Sequence, residues 1–129
     1  MRGNISNSSH LSQSLLLKTY EASEFQNWKA EKYETMAKRY QEVLAQFEAH
    51  PEYAEVVEPL PFNSGYFMCV RPLHVDAEAV RQRLLEEYET GLIATSGLLR
   101  VAFSSAPTEL LAELFANINS ACRDVAASD

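Results

Sequence analysis

The sequence predicts an α+β fold, a long N-terminal helix followed by a small β-sheet with helices packed on it. Three observations predict it. Apolar residues recur at threes and fours across residues 9–49, which is a helical period. Beyond Pro51 that period gives way to short runs rich in Val, Leu, Tyr and Phe, bounded by Pro, Gly, Asn and Ser. Two further helical stretches, one after Asp76 and one after Pro107, interrupt those runs, so the order reads α, long α, β, β, α, β, β, α.

Residues 9 to about 20 form the first helix, with Leu11, Leu15 and Leu16 in an i, i+4 rhythm. After a break at "EASEF", Ser23 and Gln26 fit a capping box, with Ser23 at the N-cap and Gln26 at N3. A helix over 24–49 follows, its stripe made by Phe25, Trp28, Tyr33, Met36, Tyr40, Val43, Leu44 and Phe47. At 1.5 Å per residue it is roughly 38 Å long. His50-Pro51 ends it, because the residue before proline avoids the helical region. Val56 to Leu60 reads as a strand confined to a sheet edge by Pro59 and Pro61. Phe62-Asn63-Ser64-Gly65 is a turn, and Tyr66 to Val70 a strand expected to be buried on both faces. Asp76 caps a helix from Ala77 to Tyr88 with Val80, Leu84 and Leu85 inward, and Gly91 breaks it. Leu92 to Thr95 and Leu98 to Ser104 are strands joined at Ser96-Gly97. Pro107 opens a last helix, with a stripe of Leu110, Leu111, Leu114, Phe115, Ile118 and Cys122 and a frayed "AASD" end. The expected organisation is an N-terminal loop segment (1–8), a helical stretch (9–50) and a small α+β domain (51–129).

Composition bounds the function classes. The chain has 129 residues, a formal net charge of −7 and a pI near 4.9. Such a chain is a poor candidate for nucleic acid or an anionic membrane, which want a basic face. No apolar run approaches the roughly 18 residues of a membrane helix. Cys69 and Cys122 are far apart with no metal-ligand spacing around them, and are expected to be reduced and buried in a cytoplasmic protein.

One residue stands out. Arg100 sits in the most apolar stretch, "LLRVAFSSAP". Strand alternation puts Leu99, Val101 and Phe103 on one face and Leu98, Arg100, Ala102 and Ser104 on the other. A buried guanidinium needs an anion, acceptors or water. A carboxylate of the chain itself, an edge strand open to solvent, or a visiting acidic ligand would each satisfy it. Elsewhere the standard constellations fail: there is no phosphate-cradling Gly-rich loop, no His-Glu-x-x-His and no nucleophile elbow. Lys18, Lys29, Lys32 and Lys38 fall on polar helix faces, where lysine is a solvated spacer.

The segments "FNSGYFMCV" (62–70), "TGLIATSG" (90–97) and "LLRVAFSSAP" (98–107), in that order, resemble the C-terminal small domain of class I/II (fold type I) pyridoxal-phosphate-dependent aminotransferases, of the aspartate aminotransferase kind. The segment "RGNISNSSH" (2–10) resembles that family's Arg-x-Asn-Tyr-Ser-Asn-Pro-Pro loop, with Ile5 in place of Tyr and Ser8-Ser9 in place of Pro-Pro. The resemblance implies that Arg100 binds the substrate α-carboxylate and that Arg2 reaches a distal carboxylate in a neighbouring subunit. Asn63, in the turn that opens the first segment, joins them as a substrate-binding candidate. It also implies that the Schiff-base lysine and the phosphate ligands belong to a large domain outside this sequence. The chain is then expected to be a truncated part of a dimeric enzyme that moves an amino group between an amino acid and a 2-oxo acid. By itself it would hold no catalytic, cofactor-binding or metal residue and bind no pyridoxal phosphate. The rival expectations are a free-standing α+β interaction module and a small acidic-ligand-binding module.

Overall fold

The computed structural model describes residues 10–63 and 65–128. It divides into two compact units, residues 1–35 and 36–129, and each is described by itself.

The first unit holds helix α1 (His10–Glu21) and the start of helix α2 (Phe25–Ala49). Thr19 Oγ1 donates to the Leu15 carbonyl at 2.8 Å, and the chain turns through Ala22 to Glu24. The rings of Tyr20 and Phe25 meet across the turn, 4.7 Å between centroids. α2 begins at Phe25, and the Ser23 hydroxyl is engaged by the Glu24 carboxylate, whose pKa it lowers. α1 has no buried residue; Leu11, Leu15, Leu16 and Leu17 are all more than half exposed. Trp28 and Tyr33, on the apolar stripe of α2, are exposed as well.

The second unit is an α+β layer. Its four-stranded antiparallel sheet has the order β1-β2-β4-β3, with β1 Val57–Pro59, β2 Met68–Pro72, β3 Ile93–Thr95 and β4 Leu98–Val101. β1 is an edge, where Pro59 leaves no ladder donor missing from the interior. Ser96 (φ 50°) and Gly97 (φ 74°) make the two-residue turn between β3 and β4, with Thr95 opposite Leu98. Two successive positive φ values match the right-handed twist of the flanking strands. Helix α3 (Ala77–Glu87) starts at Asp76, whose carboxylate accepts the Ala79 amide at 2.9 Å. Pro107 and a short 3-10 turn (Thr108–Leu110) lead into helix α4 (Leu111–Ser128).

One face of the sheet is the core. Val57, Met68, Val70, Leu99 and Val101 pack with Val80 and Leu84 of α3 and with Leu111, Phe115, Ile118 and Cys122 of α4. The second half of α2 joins this core through Val43 and through aromatic edges: Tyr40 on Phe62, Phe62 on Phe103, and Phe47 on Tyr53 and Phe115.

Several sequence expectations are corrected. The strand expected at 66–70 is shifted to 68–72 and is buried on one face only, because the helices cover one side of an antiparallel sheet. Tyr66 and Phe67 are exposed. Leu85 points away from the core: with Leu84 inward, its neighbour is turned about 100° off the buried stripe. Leu110 precedes the α-helix and is half exposed. β4 stops at Val101, but the in–out alternation runs on, so Phe103 is buried while Ala102 and Ser104 are not. α4 runs helical to Ser128 rather than fraying at Ala126. Cys69 is half-buried on the face opposite the core, and only Cys122 is buried.

Candidate functional site: an arginine on the uncovered sheet face

The uncovered face of the sheet carries Glu58, Cys69, Arg71, Ile93, Leu98 and Arg100, set by the parity that buries their neighbours. Arg100 is central. It lies directly opposite Cys69 of β2 and Ile93 of β3, half-buried between them. Its Cζ stands 4.6 Å from the ring centroid of Phe67. A guanidinium over a ring face at that distance gains about 0.5–2 kcal/mol, depending on how far water is excluded. Among the described residues no carboxylate lies within the 4.0 Å of an ion pair with it. Glu58, the acid on the same face, is already paired with Arg71.

With its Cζ over the Phe67 ring, Arg100 is paired with no carboxylate among the described residues. The N–H donors of a guanidinium lie in the plane of the group and form a fork that matches a carboxylate bidentately. The site can therefore hold a planar acid. A depression of about 340 Å³ is lined by Leu60, Pro61, Phe62, Asn63, Phe67, Met68 and Cys69; it shares Phe67 with the Arg100 contact, but Arg100 is not one of its walls.

Of the candidate residues, the structure brings Asn63 and Arg100 to this region through their shared neighbours Phe67 and Cys69. Asn63 Oδ1 accepts the Gly65 amide at 3.0 Å, so its side-chain carbonyl shapes the turn. Arg2, with the loop segment 1–8, lies outside the described residues. Two residues in the region went unread in the sequence. Phe67 could be placed under Arg100 only once the β2–β4 register was known. Arg39 carried a signal: it lies three residues after Met36 and four before Val43, on the packed side of α2. Its Nη1 donates to the Ser104 carbonyl.

The other reactive groups are structural. Burial pushes the Cys122 thiol up to about 12, so it stays protonated and inert. Ser105 Oγ donates to the Ala102 carbonyl at 2.9 Å and has no base beside it among the described residues. His50 pairs with Glu52 and stacks on Tyr53 at the end of α2, away from the sheet. A Schiff-base lysine needs a desolvated pocket. Lys18, Lys29, Lys32 and Lys38 are the chain's four lysines, and all stand exposed on α1 and α2, so the residues present do not fit pyridoxal phosphate. Among the described residues no three His, Cys, Asp or Glu side chains gather into a metal-holding group. No helix among them is long and apolar enough to cross a membrane.

No protein-family model matches the chain, and no curated protein sequence matches it significantly.

Proposed function

We propose that the chain is the C-terminal part of a cytoplasmic, dimeric pyridoxal-phosphate-dependent aminotransferase, and that Arg100 is its anchor for the substrate α-carboxylate. The observation that carries this reading is the state of Arg100: a permanent charge, half-buried on a strand, resting on a phenyl ring and met by no acid of the described chain. Holding a carboxylate there fixes one end of a small amino acid or 2-oxo acid, and orientation of the other end follows. The resemblance of residues 62–70 and 90–107 to the family supplies the substrate class. Amino-group transfer itself falls to a cofactor and a lysine that a large domain would contribute. On this reading Arg2 addresses a second carboxylate from the neighbouring subunit, and Asn63 shapes the turn beside the anchor.

The test is R100K in the enzyme assembled with its large domain. Lysine keeps the charge and loses the fork. Loss of a charge-assisted pair of this kind costs about 1.5–3 kcal/mol, so KM for both amino acid and 2-oxo acid is expected to rise about 10- to 100-fold. The cofactor's absorption should be unchanged. An unaltered KM removes the assignment. For the isolated chain, a stoichiometric aldimine band on addition of pyridoxal phosphate would contradict the absence of a suitable lysine.

A second reading, an interaction module, is favoured by the leucines that α1 leaves exposed. It predicts a partner whose binding survives R100K and fails when Leu15 and Leu16 are made polar.

A further inference from the structure

Six arginines fall among the described residues, and four have a carboxylate: Arg71 meets Glu58, Arg81 meets Glu78, Arg83 meets Glu87 and Arg123 meets Glu55. Arg39 and Arg100 have none within 4.0 Å among the described residues. In a chain with 18 acidic and 11 basic residues, acids are in surplus, so these two cations stay unneutralised by placement rather than by scarcity. Both are delivered to the same pair of strand ends. The Arg100 Cζ lies over the ring of Phe67, just before β2. Arg39 donates to the carbonyl of Ser104, just after β4, and the Ser104 amide donates to the Tyr66 carbonyl at 3.4 Å. Tyr66 is joined to Phe67. One continuous path of contacts therefore runs from α2 through Arg39, Ser104, Tyr66 and Phe67 to Arg100.

Arg39 is also set into the packed side of α2, and its Nε is buried without a partner. Burying an unpaired N–H is unfavourable, and an arginine turned to solvent would avoid it. The long stem and planar head are what allow a helix residue to reach a loop carbonyl across a packed boundary.

We propose that Arg39 is a positioning residue for the anion site: by fixing Ser104 it holds the Tyr66–Phe67 segment in place, and so keeps the phenyl ring under the Arg100 guanidinium with its fork free. The proposal deepens the reading of Arg100 as a carboxylate anchor, but the positioning can be measured without any ligand. A preformed fork binds an acid without first being ordered.

The experiment uses the 129-residue chain labelled with ¹⁵N. The Arg100 Nε–Hε resonance is assigned by its loss in R100K. The Phe67 ring current should displace it upfield, and F67L sets the scale of full loss. R39M is expected to abolish most of that displacement and to speed hydrogen exchange at the Ser104 amide at least tenfold, while R39K, which can still donate to the Ser104 carbonyl, preserves both. An Arg100 resonance that stays in place in R39M, with Ser104 exchange unchanged, overturns the proposal. If R39M does not fold, R39Q, which shortens the side chain, takes its place: a resonance that stays in place there overturns the proposal, and one moved as far as in F67L supports it. Titration with succinate separates the two readings. If R100K binds succinate as well as wild type, the anchor reading falls, while a displaced Arg100 resonance in R39M would still support the positioning role.

Discussion

The Tyr88 hydroxyl donates to Asp124 Oδ2 at 2.6 Å and ties the end of α3 to α4. That hydrogen bond, to a carboxylate that disfavours the phenolate, raises the pKa of Tyr88, with desolvation adding to it. Y88F is expected to lower stability by about 1 kcal/mol in denaturant titrations, a charged acceptor being partly relieved by water at this half-buried site. The sign of the pH dependence follows from the raised value. The stabilisation is fully present below the ordinary tyrosine value of 10.0 and is lost as pH rises through the folded-state value above it. The gap between wild type and Y88F should therefore be flat from neutral pH up to that range and then close. A gap that widens instead would show that the bond is not what raises the pKa. At this scale the sequence spoke unevenly. The side of β4 that holds Arg100 was legible, because parity along a strand is local. Its resting place on Phe67 was not, because that depends on which residue of β2 lies opposite Arg100. Tyr88 lies inside the acidic run Glu86–Glu89, and only the approach of α4 gives it a partner.

Among the elements, α3 was the most readable. Asp76 precedes its first turn, and the carboxylate takes the Ala79 amide as a capping residue should. D76A is expected to cost about 1 kcal/mol of stability and to leave succinate titration of the Arg100 resonance unaltered, which thermal melts and NMR would check together. The inward set of α3 was harder. Leu84 and Leu85 are equally apolar, and only the position of the sheet decides that Leu84 is fully buried while Leu85 is 54% exposed. The same kind of ambiguity hid the sidedness of β2. "YFMCV" is apolar throughout, so the run carries no sign of which face the helices leave uncovered. The Ser96-Gly97 turn, in contrast, announced itself, since glycine is the residue that most readily takes its φ of 74°.

Over the whole molecule, the element order and the α+β class were plain from periodicity, whereas the sheet order β1-β2-β4-β3 was not. It requires β4 to insert between β2 and β3, a choice made by long-range packing. Charge is segregated along the chain as well. Residues 1–35 carry four basic and four acidic residues, so the whole net charge of −7 falls on residues 36–129. The exposed Leu11, Leu15, Leu16 and Leu17 thus belong to a stretch with no net repulsion of its own. Concentration-dependent self-association is expected in sedimentation velocity, and L15E with L16Q should abolish it. A wild-type chain that sediments as a monomer throughout the micromolar range would count against those leucines as a contact surface. β4 has one more implication, for how such a chain tolerates change over generations. Core packing and the proposed carboxylate anchor occupy alternate positions of a four-residue strand, so point replacements can retune either one alone. An indel cannot. Gaining or losing one codon between Gly97 and Arg100 would swing the guanidinium into the hydrophobic layer and lift Leu99 out of it, forfeiting both roles in a single event.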